Sequence, residues 1–292
     1  MRNLACSGAK ALAVTDNLNF GNPNKPEAYY MLRECVKGLA DACAFFDVPV
    51  VGGNVSLYNE HGEGAIDPTP VVSMVGLIDR QEQVTRSQVK KEGLELFLLG
   101  GWPSELGASY FMQTQFGKKE GSVPTVDLES EKKLQEFLIS QIEAGKIKAA
   151  HDLSEGGLLV CLSEMLFGEK HIGAEISIAS ENSFERFDAL LFGESQGRVV
   201  VAVDPLDSND FISSAKSVGL SINPLGQTVY SGKLQVQVNN QKIISSSVEE
   251  LRSKWDDSIP WNELKSVCAE FRHREIREEL EEYNKASWKT SV

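Results

Sequence analysis

Residues 48–60, VPVVGGNVSLYNE, carry an apolar run into two glycines and on into an asparagine and a serine. A run such as Val48 to Val51, closed by glycine, reads as a buried strand. Just before it, Leu32, Cys35, Val36, Leu39, Cys43 and Phe46 recur at helical spacing, so a helix with one face packed inward precedes the strand. Beyond it, Val71 to Ile78 reads as another strand. The opening residues, MRNLACSGAKALAVTDN, read as the end of a helix closing near Gly8 and a strand from Ala11 to Thr15. The first 80 residues therefore run strand, helix, strand, strand. The leading helix lacks a cap and an earlier turn, and Met1 is expected to be a cut within a longer protein.

After a polar stretch from Asp79 to Glu92 a fresh α/β alternation begins, with a strand at Leu94–Leu99 and a helix at Ser104–Phe116. Helices follow at Glu129–Ala144 and Gly157–Phe167, and strands at Ala174–Ile178 and Arg198–Val203. Leu234–Val238, an Asn239-Asn240 turn and Lys242–Ile244 make a terminal hairpin. From Asn262 to Lys285 the chain is rich in Glu, Arg and Lys with scattered Leu and Phe, the pattern of an exposed amphipathic helix. The expected division is 1–80, 81–246 and a helical tail over 247–292.

The chain of 292 residues has 42 acidic against 29 basic side chains, a formal charge of -13. That balance repels nucleic acid and anionic lipid, so no polynucleotide partner is expected. A small phosphorylated ligand stays open, because backbone N–H groups and a bridging Mg²⁺ hold phosphate without a basic surface. Cys6, Cys35, Cys43, Cys161 and Cys268 are odd in number and form no CxxC pair, which points to reduced thiols and neither a disulfide framework nor a zinc site. No apolar run approaches the roughly 18 residues a membrane span needs, and no basic stretch leads into an apolar signal core. No membrane partner is expected, and the location is read as cytoplasmic.

Four segments carry candidate chemistry. TDNLNFGNP, Thr15 to Pro23, sets a carboxylate and three amides just past a strand end, where α/β proteins place ligand contacts; it equally reads as a turn whose Asp and Asn cap their own backbone. In VPVVGGNVSLYNE the glycines let a ligand approach the backbone, Asn54 offers an amide oxygen and Ser56 a hydroxyl; a tight turn is the plain alternative. HDLSEGGLLVCLSEMLFGE places His151, Asp152 and Ser154 before a helix opened by Gly156 and Gly157, either an anion site or simple capping. LFGESQGRVVVAV sets Glu194, Ser195 and Gln196 before a strand. His61, His171 and His273 have no partner at metal or triad spacing and read as surface residues.

In this order, TDNLNFGNP, VGGNVSLYN, TPVVSMVGLI, HDLSEGGL and FGESQGRVVV resemble the second half of the small-type formylglycinamidine ribonucleotide synthases, the PurL family, over Arg2 to Val203. The first motif separates that family from aminoimidazole ribonucleotide synthetase, selenophosphate synthetase and thiamine-phosphate kinase, which share its fold. The resemblance implies a PurM-like α/β (α+β) architecture: an incomplete N-terminal-type small domain that pairs into a β-barrel, followed by a C-terminal-type α/β domain. It implies an ATP- and Mg²⁺-dependent ligase of purine biosynthesis in which ATP phosphorylates the amide oxygen of formylglycinamide ribonucleotide and ammonia displaces the phosphate. Its implied partners are the missing N-terminal half, a glutaminase subunit (PurQ), a small bridging subunit (PurS) and the small-molecule substrate, with a homodimer of this chain as a substitute pairing.

Carried over by motif, Asp16 and Gly53 resemble nucleotide contacts, Asn54 a Mg²⁺ ligand and Ser56 a substrate contact. The family's catalytic histidine, general base, substrate arginine and acidic metal ligands belong to the first half, so the isolated chain is expected to be inactive. His151 and Asp152 fall in the second copy of a duplicated motif, and Glu194, Ser195 and Gln196 in the copy of a substrate loop, a pseudo-site without a catalytic role. Two other readings compete: a non-catalytic interaction module of the same fold, and another ATP-using member of the superfamily.

Overall fold

The computed structural model describes residues 1–62, 64–102, 105–118, 120–169, 171–179 and 186–258. Met1–Val248 form one compact unit and Glu249–Val292 a second. The chain opens with α1 (Arg2–Cys6), β1 (Lys10–Asn19), α2 (Pro26–Phe45), β2 (Val50–Ser56), the short pair β3 (Glu60–His61) and β4 (Gly64–Ala65), and β5 (Thr69–Leu77). β1 lies between β2 and β5, parallel to the first and antiparallel to the second. A parallel pair needs a crossover, and α2 supplies it. Pro26 starts that helix at a position where its missing N–H is no loss.

Three readings of this region change. β1 runs four residues past Thr15, so Asp16, Asn17 and Asn19 are strand residues and not part of a loop. β2 begins at Val50 and continues through both glycines, so Asn54 and Ser56 also lie within a strand. The reading of that strand as buried is overturned: every residue of β2 but Ser56 is exposed, because β2 is an edge with a single neighbour. The inward face of α2 is only half-buried; Leu39, Ala42, Cys43 and Phe46 face Val14, Val72 and Met74 across a groove of about 350 Å³. On the opposite face Val71 and Val75 are 48% and 65% exposed.

The larger sheet has seven strands in the order β12-β11-β8-β10-β6-β9-β7. They are β6 (Glu95–Leu99), β7 (Ile147–Asp152), β8 (Ile172–Ile178), β9 (Val199–Val203), β10 (Ile222–Tyr230), β11 (Lys233–Val238) and β12 (Gln241–Ser247). Only β8 and β11 pair in parallel. Around the sheet run α3 (Tyr110–Phe116), α4 (Leu128–Glu143), α5 (Gly157–Leu166), α6 (Phe187–Phe192) and α7 (Pro205–Ser217), and α8 (Val248–Asp256) follows β12. The β11–β12 hairpin turns on Asn239 and Asn240 with φ of 50° and 63°, the left-handed pair such a turn demands. α3 starts at Tyr110, because Ala108 is held at φ 55° and Ser109 caps the helix by accepting from the Met112 N–H; Ser104, where the sequence begins that helix, lies outside the described residues. β7, β10, α6 and α7 are elements the sequence reading did not name. The amphipathic stretch 262–285 lies outside the described residues.

α4 buries Leu134, Phe137, Leu138 and Ile142 at helical spacing against Val199, Val201 and Val203 of β9, and Asp127 caps it by accepting from the Glu129 and Ser130 N–H groups. Phe211 of α7 is fully buried, with ring centroids 5.4 Å from Phe137 and 6.0 Å from Phe97. Truncating such a ring removes its transfer energy and leaves a cavity. Phe211→Ala is therefore expected to cost about 3–5 kcal/mol, read as a lower urea midpoint at unchanged m-value. A loss below about 1 kcal/mol would show that α7 does not close this core.

Candidate functional site

The sequence singled out two clusters, and the structure treats them differently. On the three-stranded sheet, parallel register pairs Asp16 with Gly53, Asn17 with Asn54 and Asn19 with Ser56. The four candidates therefore sit together on β1 and β2. Side chains alternate along a strand, so Asp16 and Gly53 share one face while Asn17, Asn54, Asn19 and Ser56 share the other. Val14, two residues from Asp16, lines the α2 groove, which identifies the Asp16 face as the α2 side.

Each candidate has a local partner. A Cβ on Gly53 would lie 2.0 Å from Asp16 Oδ1 and 2.6 Å from the Asp16 carbonyl oxygen, so the close approach of the β1 backbone requires glycine there. Asn54 Nδ2 donates to Asn17 Oδ1 at 3.1 Å, and Ser56 Oγ lies 3.2 Å from Asn59 Oδ1 in a turn that Asn59 Nδ2 closes on the Ser56 and Phe20 carbonyls. Among the described residues no group of three or more His, Cys, Asp or Glu can hold a metal. Mg²⁺ demands near-octahedral oxygen ligation, commonly with carboxylates or phosphates, and one neutral amide meets a small part of that. This chain fits the ion only as a minor ligand.

The second cluster surrounds a cavity of about 890 Å³ bordered by Arg2, Ser109, Tyr110, Ser154, Glu194 and Gln196, among others. Arg2 and Asn3 of α1 were missed in the sequence, where nothing marks a helix of five residues as part of a site. Arg2 pairs with Glu131 and also donates to the Leu153 carbonyl and to Gln196 Oε1. Asn3 Nδ2 donates to Asp152 Oδ1 at 3.0 Å, and the Ser154 hydroxyl donates to Asp152 Oδ2 at 3.2 Å. Glu131 had one legible signal, a carboxylate on the inward face of an amphipathic helix, where it is only 6% exposed.

His151 lies between two carboxylates, 2.8 Å from Glu164 through Nε2 and 3.7 Å from Asp152 through Nδ1. Burial opposes its charge, but the flanking Asp152 and Glu164 carboxylates, the latter hydrogen-bonded, outweigh burial and lift its pKa to about 9. An imidazolium at neutral pH has no lone pair to act as a base. Burial also works against the Asp152 charge, yet the adjacent His151 and the hydrogen bond from Asn3 hold that carboxyl below the usual range. Cys6 and Cys161 are free buried thiols pushed up in pKa by burial, and Cys35 and Cys43 are half-buried; Cys268 lies outside the described residues. His61 and His171 are exposed, the latter against the Tyr230 ring at 5.3 Å, and His273 lies outside the described residues. Among the described residues no helix is long and apolar enough to cross a membrane.

Two family models match the chain: AIR synthase related protein, N-terminal domain, over residues 1–78, and AIR synthase related protein, C-terminal domain, over residues 91–239. The chain belongs to this family. Among curated relatives, phosphoribosylformylglycinamidine synthase subunit PurL of Deinococcus radiodurans is 42% identical over 268 residues, which is 88% of this chain and 35% of the relative. PurL of Thermoanaerobacter sp. X514 is 41% identical over 260 residues, 89% of this chain and 35% of the relative. The chain thus spans about a third of the length of the curated relatives it matches. The resemblance and the PurM-like fold read from the motifs are borne out.

Solved structures share the fold. Thermotoga maritima PurL complexed with ATP superimposes at TM-score 0.67 and 20% identity, over 85% of this chain and 39% of that one. The complex of T. maritima PurL with FGAR gives 0.68 at 20% identity, over 86% and 41%. The Escherichia coli hydrogenase maturation protein HypE gives 0.62 at 16% identity, over 84% and 75%.

The state of His151 yields a pH prediction. Its folded pKa of about 9 exceeds the unfolded value near 6.5, so its stabilisation is full below pH 6.5 and is lost as pH rises through 9. Over that window the chain should lose roughly 3 kcal/mol relative to His151→Gln, measured by urea melts at stepped pH. Parallel curves for the two proteins would show that folding does not raise the His151 pKa.

Proposed function

We propose that this chain is the second half of a formylglycinamidine ribonucleotide synthase and completes the ligase site only against a first half. The observation that carries the reading is a single sheet face. Asn17, Asn54, Asn19 and Ser56 share it with Val71 and Val75, so polar groups suited to a ligand stand beside apolar side chains that solvent otherwise wets. A first-half partner laid on that face would cover the valines and bring its own acids and histidine opposite the amides. Relatives about 40% identical across nearly the whole chain carry the PurL name, which supports this reading over others within the fold.

In the proposed reaction ATP transfers its γ-phosphoryl group to the formylglycinamide oxygen and leaves as ADP. Ammonia then attacks the activated carbon, and phosphate departs with the oxygen to leave an amidine. Mg²⁺ would neutralise phosphoryl charge. Asn54 would give that ion one oxygen and Ser56 would hydrogen-bond the substrate from the valine face, while Asp16, whose carboxylate reaches across Gly53 toward the exposed β2 edge, would meet the nucleotide at that edge. His151 stays outside the chemistry, since it lies on β7 of the larger sheet between Asp152 and Glu164 and not on the face that carries Asn54 and Ser56. The glutaminase and bridging subunits would deliver ammonia, and free ammonium replaces them in an assay.

The test is reconstitution. The chain mixed with a separately produced first half, Mg²⁺-ATP, formylglycinamide ribonucleotide and ammonium should form amidine, and neither half alone should. Asn54→Ala should lower kcat by about 10-fold or more, and Ser56→Ala should mainly raise KM. A complex whose turnover survives Asp16→Ala, Asn54→Ala and Ser56→Ala combined would assign the chain a scaffolding role instead. Without the first half, the valine face should drive self-association in sedimentation equilibrium, and Val71→Lys with Val75→Lys should shift the chain toward monomer. A wild-type monomer at high concentration would show that this face needs no cover.

A further inference from the structure

The turn from Gly193 to Gly197 ties several elements together at the large cavity. Glu194 Oε1 accepts from two backbone N–H groups on separate elements, Tyr110 at the start of α3 and Gly156 at the start of α5, each at 2.9 Å. Ser195 Oγ donates to Glu105 Oε1 at 3.4 Å, and Gln196 Oε1 accepts from Arg2. All three side chains point to protein partners.

Beneath the turn lies Arg198, 1% exposed, with Nε donating to the Ser195 carbonyl at 2.9 Å and Nη2 to the Gly193 carbonyl at 2.6 Å. It clasps the backbone on both sides of Glu194 and sets a buried positive charge beneath the turn. Its Nη1 is buried without a hydrogen-bond partner, so the guanidinium is committed to holding this turn even at the expense of one donor. Gly156 and Gly157 have φ of 79° and 66°, and a Cβ on Gly157 would lie 2.7 Å from the Gly193 carbonyl oxygen. The start of α5 and the turn are therefore fitted to each other.

We infer that Glu194 is an internal anion: its carboxylate takes the position at the Tyr110 and Gly156 N–H groups that an external phosphate or carboxylate would take, and so closes this cavity to anionic ligands. The two N–H donors are spent on the protein. A phosphate entering the cavity meets no free backbone donor at this point and is repelled by the fixed charge of Glu194. The inference is independent of the ligase reading, since it concerns a cavity to which that reading gives no chemistry.

Anion rescue tests it on the full chain. Glu194→Ala should lower Tm by roughly 4 °C, the amides of Tyr110 and Gly156 should exchange faster, and tens of millimolar inorganic phosphate or acetate should restore both, with chloride at equal ionic strength ineffective. Wild type should not respond to either anion. An equal phosphate shift in wild type, or a Glu194→Ala variant that no anion rescues, overturns the inference. If Glu194→Ala does not fold, Glu194→Gln decides: its carbonyl should keep both amides protected and leave phosphate without effect. Amides of Glu194→Gln that exchange freely, or that phosphate further protects, would overturn it.

Discussion

The pairing of Arg2 with Glu131 is the constraint on which the arrangement of the two sheets rests. Both side chains are largely buried, at 13% and 8% exposure, and a buried ion pair repays its desolvation only when further hydrogen bonds satisfy it. Arg2 meets that condition in part through the Leu153 carbonyl and Gln196, although its Nε remains without a partner. Such a pair is weak evidence of stability and good evidence of position, because loss of either member strands a buried charge. β1 begins only four residues after α1 ends. Gly8 between them has φ of 85°, and its Cβ would lie 2.5 Å from the Gln83 carbonyl oxygen. Anchoring α1 therefore anchors the small sheet.

The two candidate clusters contain the same residue types, and that sameness is why the sequence could not rank them. Asx, Ser and Glu beside glycine read alike wherever they fall. What separates the clusters is long-range pairing: Glu194 meets a donor 84 positions away and Arg2 reaches Gln196 across 194. Around the large cavity those distant partners consume the polar groups. On the small sheet the partners are close at hand, Asn17 in the adjacent strand for Asn54 and Asn59 in the following turn for Ser56, and the face beyond them stays open.

Elements with strong local signals were legible: the α2 spacing, the buried valines of β9 and the Asn239-Asn240 hairpin. β7, with sequence IKAAHD, was hidden because alanine and charged residues give no strand signal, and its burial comes from β9 and α4. α7 was hidden in the same way, since its serines and aspartates favour caps and turns while only Ser208, Phe211 and Ala215 are buried. β1 was cut short for a related reason. Asp16, Asn17 and Asn19 are poor strand formers, yet they are held extended because β2 and β5 pair with them on both sides. Tertiary pairing overrode local preference where the candidate ligands sit.

That override has a geometric consequence for the site. Between the Val14–Val50 and Thr15–Gly52 partners β2 carries one extra residue, Val51, and an extra residue reverses which face every later side chain takes relative to the partner strand. With the bulge in place, Gly53 meets Asp16 and Asn54 meets Asn17. Without it the register would bring Gly52 against Asp16 and Asn54 against Leu18, on the α2 side of the sheet. The two glycines are therefore unequal: a Cβ on Gly52 meets nothing within 4 Å, whereas one on Gly53 would collide with Asp16. A dipeptide that reads in sequence as a loop for ligand approach serves in the fold to pass one strand closely by a carboxylate. The bulge beside it then turns Asn54 and Ser56 to the valine face.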